Sequence, residues 1–183
     1  MNSKTIKNSK IKEIKWYNPI GGALIVLPEK TAMLWGGITE NNGKDYDFAC
    51  SFSDFTSVTE YKGTEIIVLG DEALMTGLIK QDKDLIFIVR WVYAENETDV
   101  IDLIEQTDFD CLLEHLAHNT IFLETANYVL FDSVELFEDV AEYLTFTIEA
   151  GKYLIDTFGI ENETTRVIVD RVKRNDKTEK YEQ

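Results

Sequence analysis

Nine residues constrain this chain more than any others. Leu85-Ile86-Phe87-Ile88-Val89-Arg90-Trp91-Val92-Tyr93 is a run of β-branched, aliphatic and aromatic side chains broken by one arginine. Such a run forms a strand. An arginine inside it must face water, or be paired if it is buried, because an unpaired buried charge is prohibitively costly. The expected partner is an internal acid, Asp45, Asp47 or Asp71, which would tie the strand to a loop; direct contact between Arg90 and a binding partner is the other reading.

The rest of the chain supplies further short apolar blocks. The turn Asn18-Pro19-Ile20-Gly21-Gly22 precedes a buried strand over 23–27, ended by Pro28. Residues 31–35 read as a helical turn, and 45–50 as a short helix or strand entry. A strand over 65–69 stops at Gly70. Thr98 is placed to cap a helix running to about Gln106. Phe109, Leu112, Leu113 and Leu116 fall at i, i+3, i+4 and i+7, which predicts a second helix capped by Thr107 or Asp108. Short strands are expected at 121–123 and 128–131, and a helical excursion at 134–143. Leu144, Phe146 and Ile148 alternate with Thr145, Thr147 and Glu149, and strands over 153–158 and 164–172 follow. The expected fold class is α+β: mainly antiparallel strands with two central helices and a C-terminal three-stranded meander. The expected organisation is a basic, flexible arm at 1–15, a single domain at 16–172 and a charged, flexible tail at 173–183.

The charge narrows the function. The net charge is −16 over 183 residues, yet residues 16–165 hold only 7 of the 18 bases and 29 of the 34 acids, a local charge of −22. Aromatics and apolar blocks throughout argue for a folded chain despite this charge. A body this acidic repels nucleic acid and anionic membrane and attracts basic proteins; acidity serving solubility alone is the plain alternative. The Lys- and Ser-rich start lacks the apolar core of a signal peptide, and no apolar run is long enough to cross a bilayer. The expected location is the cytoplasm, with Cys50 and Cys111 as reduced, buried thiols.

Motifs for catalysis are sparse. His115 and His118 are the only histidines, and on a helix they would share one side. A metal would need a third ligand, such as Glu114 or Cys111, and the spacing is not that of a zinc protease. Solvated histidines near a helix end are the simpler reading. The carboxylate pairs Asp45 with Asp47, and Asp71 with Glu72, each follow a loop or strand end. They suit a divalent ion, acid–base work, a basic partner or plain solvation. The stretch from Gly37 to Lys44 fails as a phosphate loop: five residues separate its glycines, and Asp45 stands where a hydroxyl is needed. No cofactor, metal or catalytic residue is assigned. Trp16, Trp35 and Trp91 are large anchors, for the core first and for an interface second.

Several of these pieces fall in a recognisable order: Trp16, Gly21-Gly22, the apolar residues up to Pro28, Trp35-Gly36, Asp45-Tyr46-Asp47 and Cys50, Gly70-Asp71-Glu72, Arg90-Trp91, and Leu130-Phe131-Asp132. The series resembles the immunity protein 21 family of bacterial polymorphic toxin systems, over roughly residues 16–172, with 134–143 as an acidic insertion. The resemblance implies a cytoplasmic, non-catalytic protein that binds the C-terminal domain of a toxin and protects the producing cell. It implies that the shared motif residues determine the fold. A basic toxin domain, a nuclease for example, would suit the charge. On this reading Asp45, Asp47, Asp71, Glu72 and Trp35 are the candidate partner contacts. A small metal-dependent enzyme using His115 and His118, and an acidic adaptor unrelated to toxins, are the alternatives.

Overall fold

The computed structural model describes residues 11, 14–70, 72–81 and 83–175. Asp71, most of the N-terminal arm and most of the C-terminal tail therefore lie outside the described residues. The order of elements is β1 (Lys15–Tyr17), β2 (Leu24–Pro28), α1 (Glu29–Ala32), α2 (Lys44–Cys50), β3 (Ser57–Tyr61), β4 (Thr64–Leu69), β5 (Thr76–Lys80), β6 (Leu85–Tyr93), α3 (Glu97–Gln106), β7 (Ala117–Leu123), β8 (Ala126–Asp132), β9 (Leu144–Ile148), β10 (Gly151–Glu161) and β11 (Arg166–Arg174).

The strands form two antiparallel sheets. Sheet A has the order β1-β5-β6-β11-β10-β7, and sheet B the order β3-β4-β2-β8-β9. The main core lies between them. Ile86 and Ile88 of β6, Tyr153 and Ile155 of β10 and Val172 of β11 meet Leu130 and Tyr128 of β8 there. The alternate residues of sheet A face outward under α3. Phe87, Val89, Phe158, Val167 and Val169 pack there against Val100, Leu103 and Ile104. β6 is thus buried on both faces, which is why its sequence is apolar almost without alternation. β2 is buried along its whole length for the same reason. Sheet A covers one face of sheet B, and the segment around α1 and Trp35 covers the other.

The structure corrects four sequence expectations. First, there is one central helix rather than two. Leu113 is 91% exposed and Leu116 is 41% exposed. Residues 109–111 form a turn, with the Asp108 carbonyl accepting the Cys111 N–H. The Leu116 N–H donates to the Thr157 carbonyl at 2.8 Å, starting the pairing of β7 with β10. The edge of β10 captures this backbone, and tertiary pairing overrides the helical spacing. His118 consequently sits on β7, and His115 on the connection before it. Second, α3 is capped by Asn96, whose side-chain oxygen accepts the Asp99 N–H at 3.1 Å. Thr98 lies inside the first turn, two residues too late to cap it.

Third, the meander does not form. β9 pairs with β8 in sheet B, while β10 crosses to sheet A between β7 and β11. Alternation marks β9 as half-buried but cannot name its neighbour. Fourth, Cys50 and Cys111 are unpaired but exposed rather than buried. At the two ends, Ile14 is 2% exposed, and its N–H donates to the Glu97 carboxylate at 2.9 Å. β11 continues to Arg174.

Arg90 is paired and fully buried, and one partner is an acid the sequence did not single out; among the described residues Asp45 and Asp47 do not pair with it, and Asp71 lies outside them. Arg90 Nη2 lies 3.2 Å from the Asp170 carboxylate, on the neighbouring strand β11, and both side chains are fully buried. Nη1 donates to the Phe55 carbonyl at 2.9 Å. Asp170 also accepts the hydroxyls of Thr56 and Thr157. Removing one member of such a pair strands a charge, whereas replacing both need not destabilise. Asp170→Ala should therefore lower the unfolding free energy in urea by about 3–5 kcal/mol. The double variant Arg90→Met, Asp170→Leu should recover most of that loss.

Candidate partner-binding site

The motif residues converge on one carboxylate. Asp132 closes β8 and is fully buried. One of its oxygens accepts the N–H groups of Ile20 at 2.7 Å and Gly21 at 2.9 Å; the other accepts those of Gly22 and Val134, each at 3.0 Å. Asp132 thereby satisfies the turn before β2 and the start of the loop after β8 together. Gly22 is required by this close approach, since a Cβ there would sit 2.3 Å from the Asp132 carboxylate. Tyr17 completes the arrangement. Its hydroxyl accepts the Asp132 N–H and donates to the Glu135 carboxylate at 2.8 Å. Burial, and then the bond to Glu135, push the Tyr17 phenol well above its ordinary range.

The neighbouring motif residues also face inward. Trp35 is fully buried, and its indole N–H donates to the Ser133 carbonyl at 3.0 Å. Its ring packs against Tyr61 at 4.8 Å. Asp45 is 7% exposed and accepts the Gly36 N–H at 2.9 Å, closing the loop between α1 and α2. Trp35 and Asp45 therefore present nothing to a partner, which corrects the expectation for both. Trp16 and Trp91 meet edge to face at 5.2 Å across the outer core. A Cβ on Gly70 would meet the Phe52 carbonyl at 2.3 Å, so the end of β4 lies directly on the segment after α2. Pro28 closes β2 and is buried. Tyr46 is half-buried, whereas Cys50, Asp47 and Glu72 are exposed.

Loop 134–143 is stitched to the α1–α2 segment. The Ile38 N–H donates to the Val134 carbonyl at 3.1 Å, and the Phe137 N–H to the Trp35 carbonyl at 3.4 Å. The one regular piece of the loop is a short 3₁₀ turn, Phe137–Asp139, in place of the expected helical excursion. Phe137 packs on Phe131 and plugs the loop into the core. Exposed apolar side chains surround this junction: Met33 and Ile38 at 51%, Leu34 at 54% and Ile20 at 65%. Exposed acids, Glu40, Asp47, Glu138 and Asp139, lie on the same segments.

Two other features invite a chemical reading. His115, His118 and Asp156 cluster on the outer face of sheet A, with no part taken by Glu114 or Cys111. The Cys111 thiol instead donates to Asp108, which pushes its pKa up. A groove of about 410 Å³ lies where β1 and β5 approach β9. Its polar lining is Lys15, Lys80, Thr145 and Thr147, with no carboxylate or imidazole, and Lys80 is engaged by Thr147. That groove lacks an acid–base pair.

Asp170 and Asp132 are the polar residues that matter most, and neither was given a role by its sequence. For Asp170 a signal existed: it is the one acid in an apolar run, Val167-Ile168-Val169-Asp170, the mirror of Arg90 in β6. For Asp132, only its place in the ordered series pointed to it. Asp132→Ala should cost about 3–5 kcal/mol, because several amides lose a charged acceptor at once. Amide exchange at Gly22 and Val134 should accelerate more than exchange in β10 and β11, measured by native-state hydrogen exchange.

Comparison with known proteins gives one result. Neither a curated protein nor a solved structure matches the chain. The sequence model of the family described as Immunity protein 21 matches residues 15–166, which is most of the chain: all of sheet B, and sheet A up to the start of β11. The chain belongs to the immunity protein 21 family.

Proposed function

We propose that this protein neutralises a cognate toxin domain by binding it stoichiometrically, without catalysis. The family match over residues 15–166 is the observation that carries this reading. The proposed docking face is the outer surface of the α1–α2 segment and loop 134–143. It offers Met33, Leu34 and Ile38 as apolar contacts and Asp47, Glu138 and Asp139 as surrounding charge. An apolar centre with a charged rim is the usual anatomy of a specific interface. The family motif residues beneath this face hold its shape. The exposed residues above them carry partner specificity.

The proposed occupant is a basic protein domain, of the kind a nuclease would present. The body charge of −22 between residues 16 and 165 supplies the attraction. Such a field raises association rates and makes them depend on salt. Among the described residues no helix is long and apolar enough to cross a membrane. Glu72 is exposed after β4 and is proposed as a secondary contact.

Rescue of growth tests the reading. The toxin domain encoded beside this gene is expressed in a sensitive host, with and without this protein. Restored growth and copurification of the two chains are expected. Failure of rescue with both chains well expressed overturns neutralisation. The face is tested separately by Met33→Glu and by the pair Glu138→Lys, Asp139→Lys. The first should raise the dissociation rate at least about tenfold, by burying a charge in the apolar centre. The second should mainly slow association and flatten its salt dependence.

A further inference from the structure

The histidine cluster is independent of that face. His118 of β7, Asp156 of β10 and Arg171 of β11 are cross-strand neighbours in register, forming one row on the outer face of sheet A. The Asp156 side chain is 7% exposed. One of its oxygens accepts Arg171 Nη2 at 2.8 Å. The other oxygen faces two imidazoles, with His118 Nδ1 at 2.6 Å and His115 Nδ1 at 3.4 Å. His115 arrives from the 107–116 connection and rests on the Phe158 ring at 4.8 Å. The donor atoms of the three residues all lie within 4.8 Å of one another.

We propose that His115, His118 and Asp156 form a binding site for a divalent transition ion of the zinc class, which clamps the 107–116 connection to sheet A. Zinc bonds to nitrogen and oxygen are about 2.0–2.2 Å, so tetrahedral donors stand about 3.3 Å apart. The His115–Asp156 separation already meets this. His118, whose side chain is 58% exposed, opens its shorter contact by a small rotation of its ring. In the bound state each imidazole offers Nδ1 to the ion and keeps its proton on Nε2. Two imidazoles and one carboxylate select zinc, cobalt, nickel or copper over magnesium and calcium, which prefer all-oxygen shells.

Arg171 does not block this site. It holds the oxygen that the ion does not need, and so orients the carboxylate as an outer-shell partner does. Its charge is shared with Asp110, 2.8 Å from Nη1. Burial alone would raise the Asp156 carboxyl, but the bonds from Arg171 and His118 outweigh burial and hold it below its ordinary value. The connection has reason to need a clamp. Among the described residues, Leu113 projects 91% exposed, and the backbone rejoins the sheet only at Leu116.

The test uses the full chain without a histidine tag, stripped with a chelator and titrated with Zn²⁺ by calorimetry and with Co²⁺ by visible absorption. One equivalent should bind, with no response to Mg²⁺. Saturating Zn²⁺ should raise Tm by several degrees. It should also slow amide exchange over 113–116. His118→Gln and His115→Gln, both at sites partly open to water, should each weaken binding at least about tenfold and abolish the exchange effect. Asp156→Asn should do the same if it folds; if it does not, the two histidine variants decide. Absence of one-equivalent binding overturns the site. So does binding unchanged in His118→Gln or His115→Gln, and so does full binding in folded Asp156→Asn, which would mean a bare histidine pair.

Discussion

The centre of the molecule is organised by a charge pair that water cannot reach. Arg90 and Asp170 lie on adjacent strands of sheet A and point between the sheets. Removing two ions from water costs several kcal/mol each, and the interior tolerates them only where their remaining hydrogen-bonding capacity is used. Here Thr157 comes from β10, while Thr56 and the Phe55 carbonyl come from the irregular segment that leads into β3 of sheet B. One ion pair therefore ties three strands of one sheet to the entrance of the other. It fixes the 51–56 segment, which has no regular backbone pairing to hold it. That segment in turn meets Gly70 at the end of β4 and supports α2. The two sheets cannot slide past each other without breaking the bonds from this pair to Phe55 and Thr56.

The strands were legible where burial is simplest. β2, β4 and β6 read as strands because each holds a continuous buried run, apolar but for Arg90. β5 was not legible. Thr76-Gly77-Leu78-Ile79-Lys80 carries a glycine and only two large apolar residues, and it exists because the edge of β6 pairs with it. The glycine is there because Ile14 and Trp16 pass directly over it, where a Cβ would stand 2.2 Å from Ile14. The false second helix has the same kind of cause, a spacing that a neighbouring strand overrules. Asp170 was missed as a partner of Arg90 through distance in sequence. Asp170 lies 80 positions away, and Asp45, the nearer acid, is already engaged by Gly36.

The motif series was legible as a pattern but not as a geometry. Its members look like a binding constellation when written in a line: a tryptophan, two aspartates, paired glycines. In three dimensions most of them turn inward. Gly22 makes room for Asp132, Asp45 closes a loop, and Trp35 seals the core beneath it. What they build is a rigid joint between the start of β2, the end of β8 and the α1–α2 segment. A family that keeps such a joint can vary the side chains outside it without losing the fold. In this chain the inward-facing motif residues and the exposed residues proposed to meet a partner are therefore separate sets.

The distribution of charge over this scaffold is uneven for a structural reason. From 144 to 174 the chain carries five acids and five bases. Several of these bases are engaged. Arg171 bridges Asp110 and Asp156, Lys173 lies near Asp110, and Arg174 reaches Asp84 and Glu149. β11 thus offsets some of the acids around sheet A. Residues 29–72 and 134–143 carry thirteen acids against three bases, and residues 73–133 carry twelve against three. The unbalanced field therefore surrounds the body, the α1–α2 and 134–143 side included, where Asp45 is drawn inside. Self-repulsion on that side weakens the isolated protein and is relieved when an opposite charge approaches. Under the proposed function, the exposed Met33, Leu34 and Ile38 would give a basic domain drawn by that charge an apolar surface to hold.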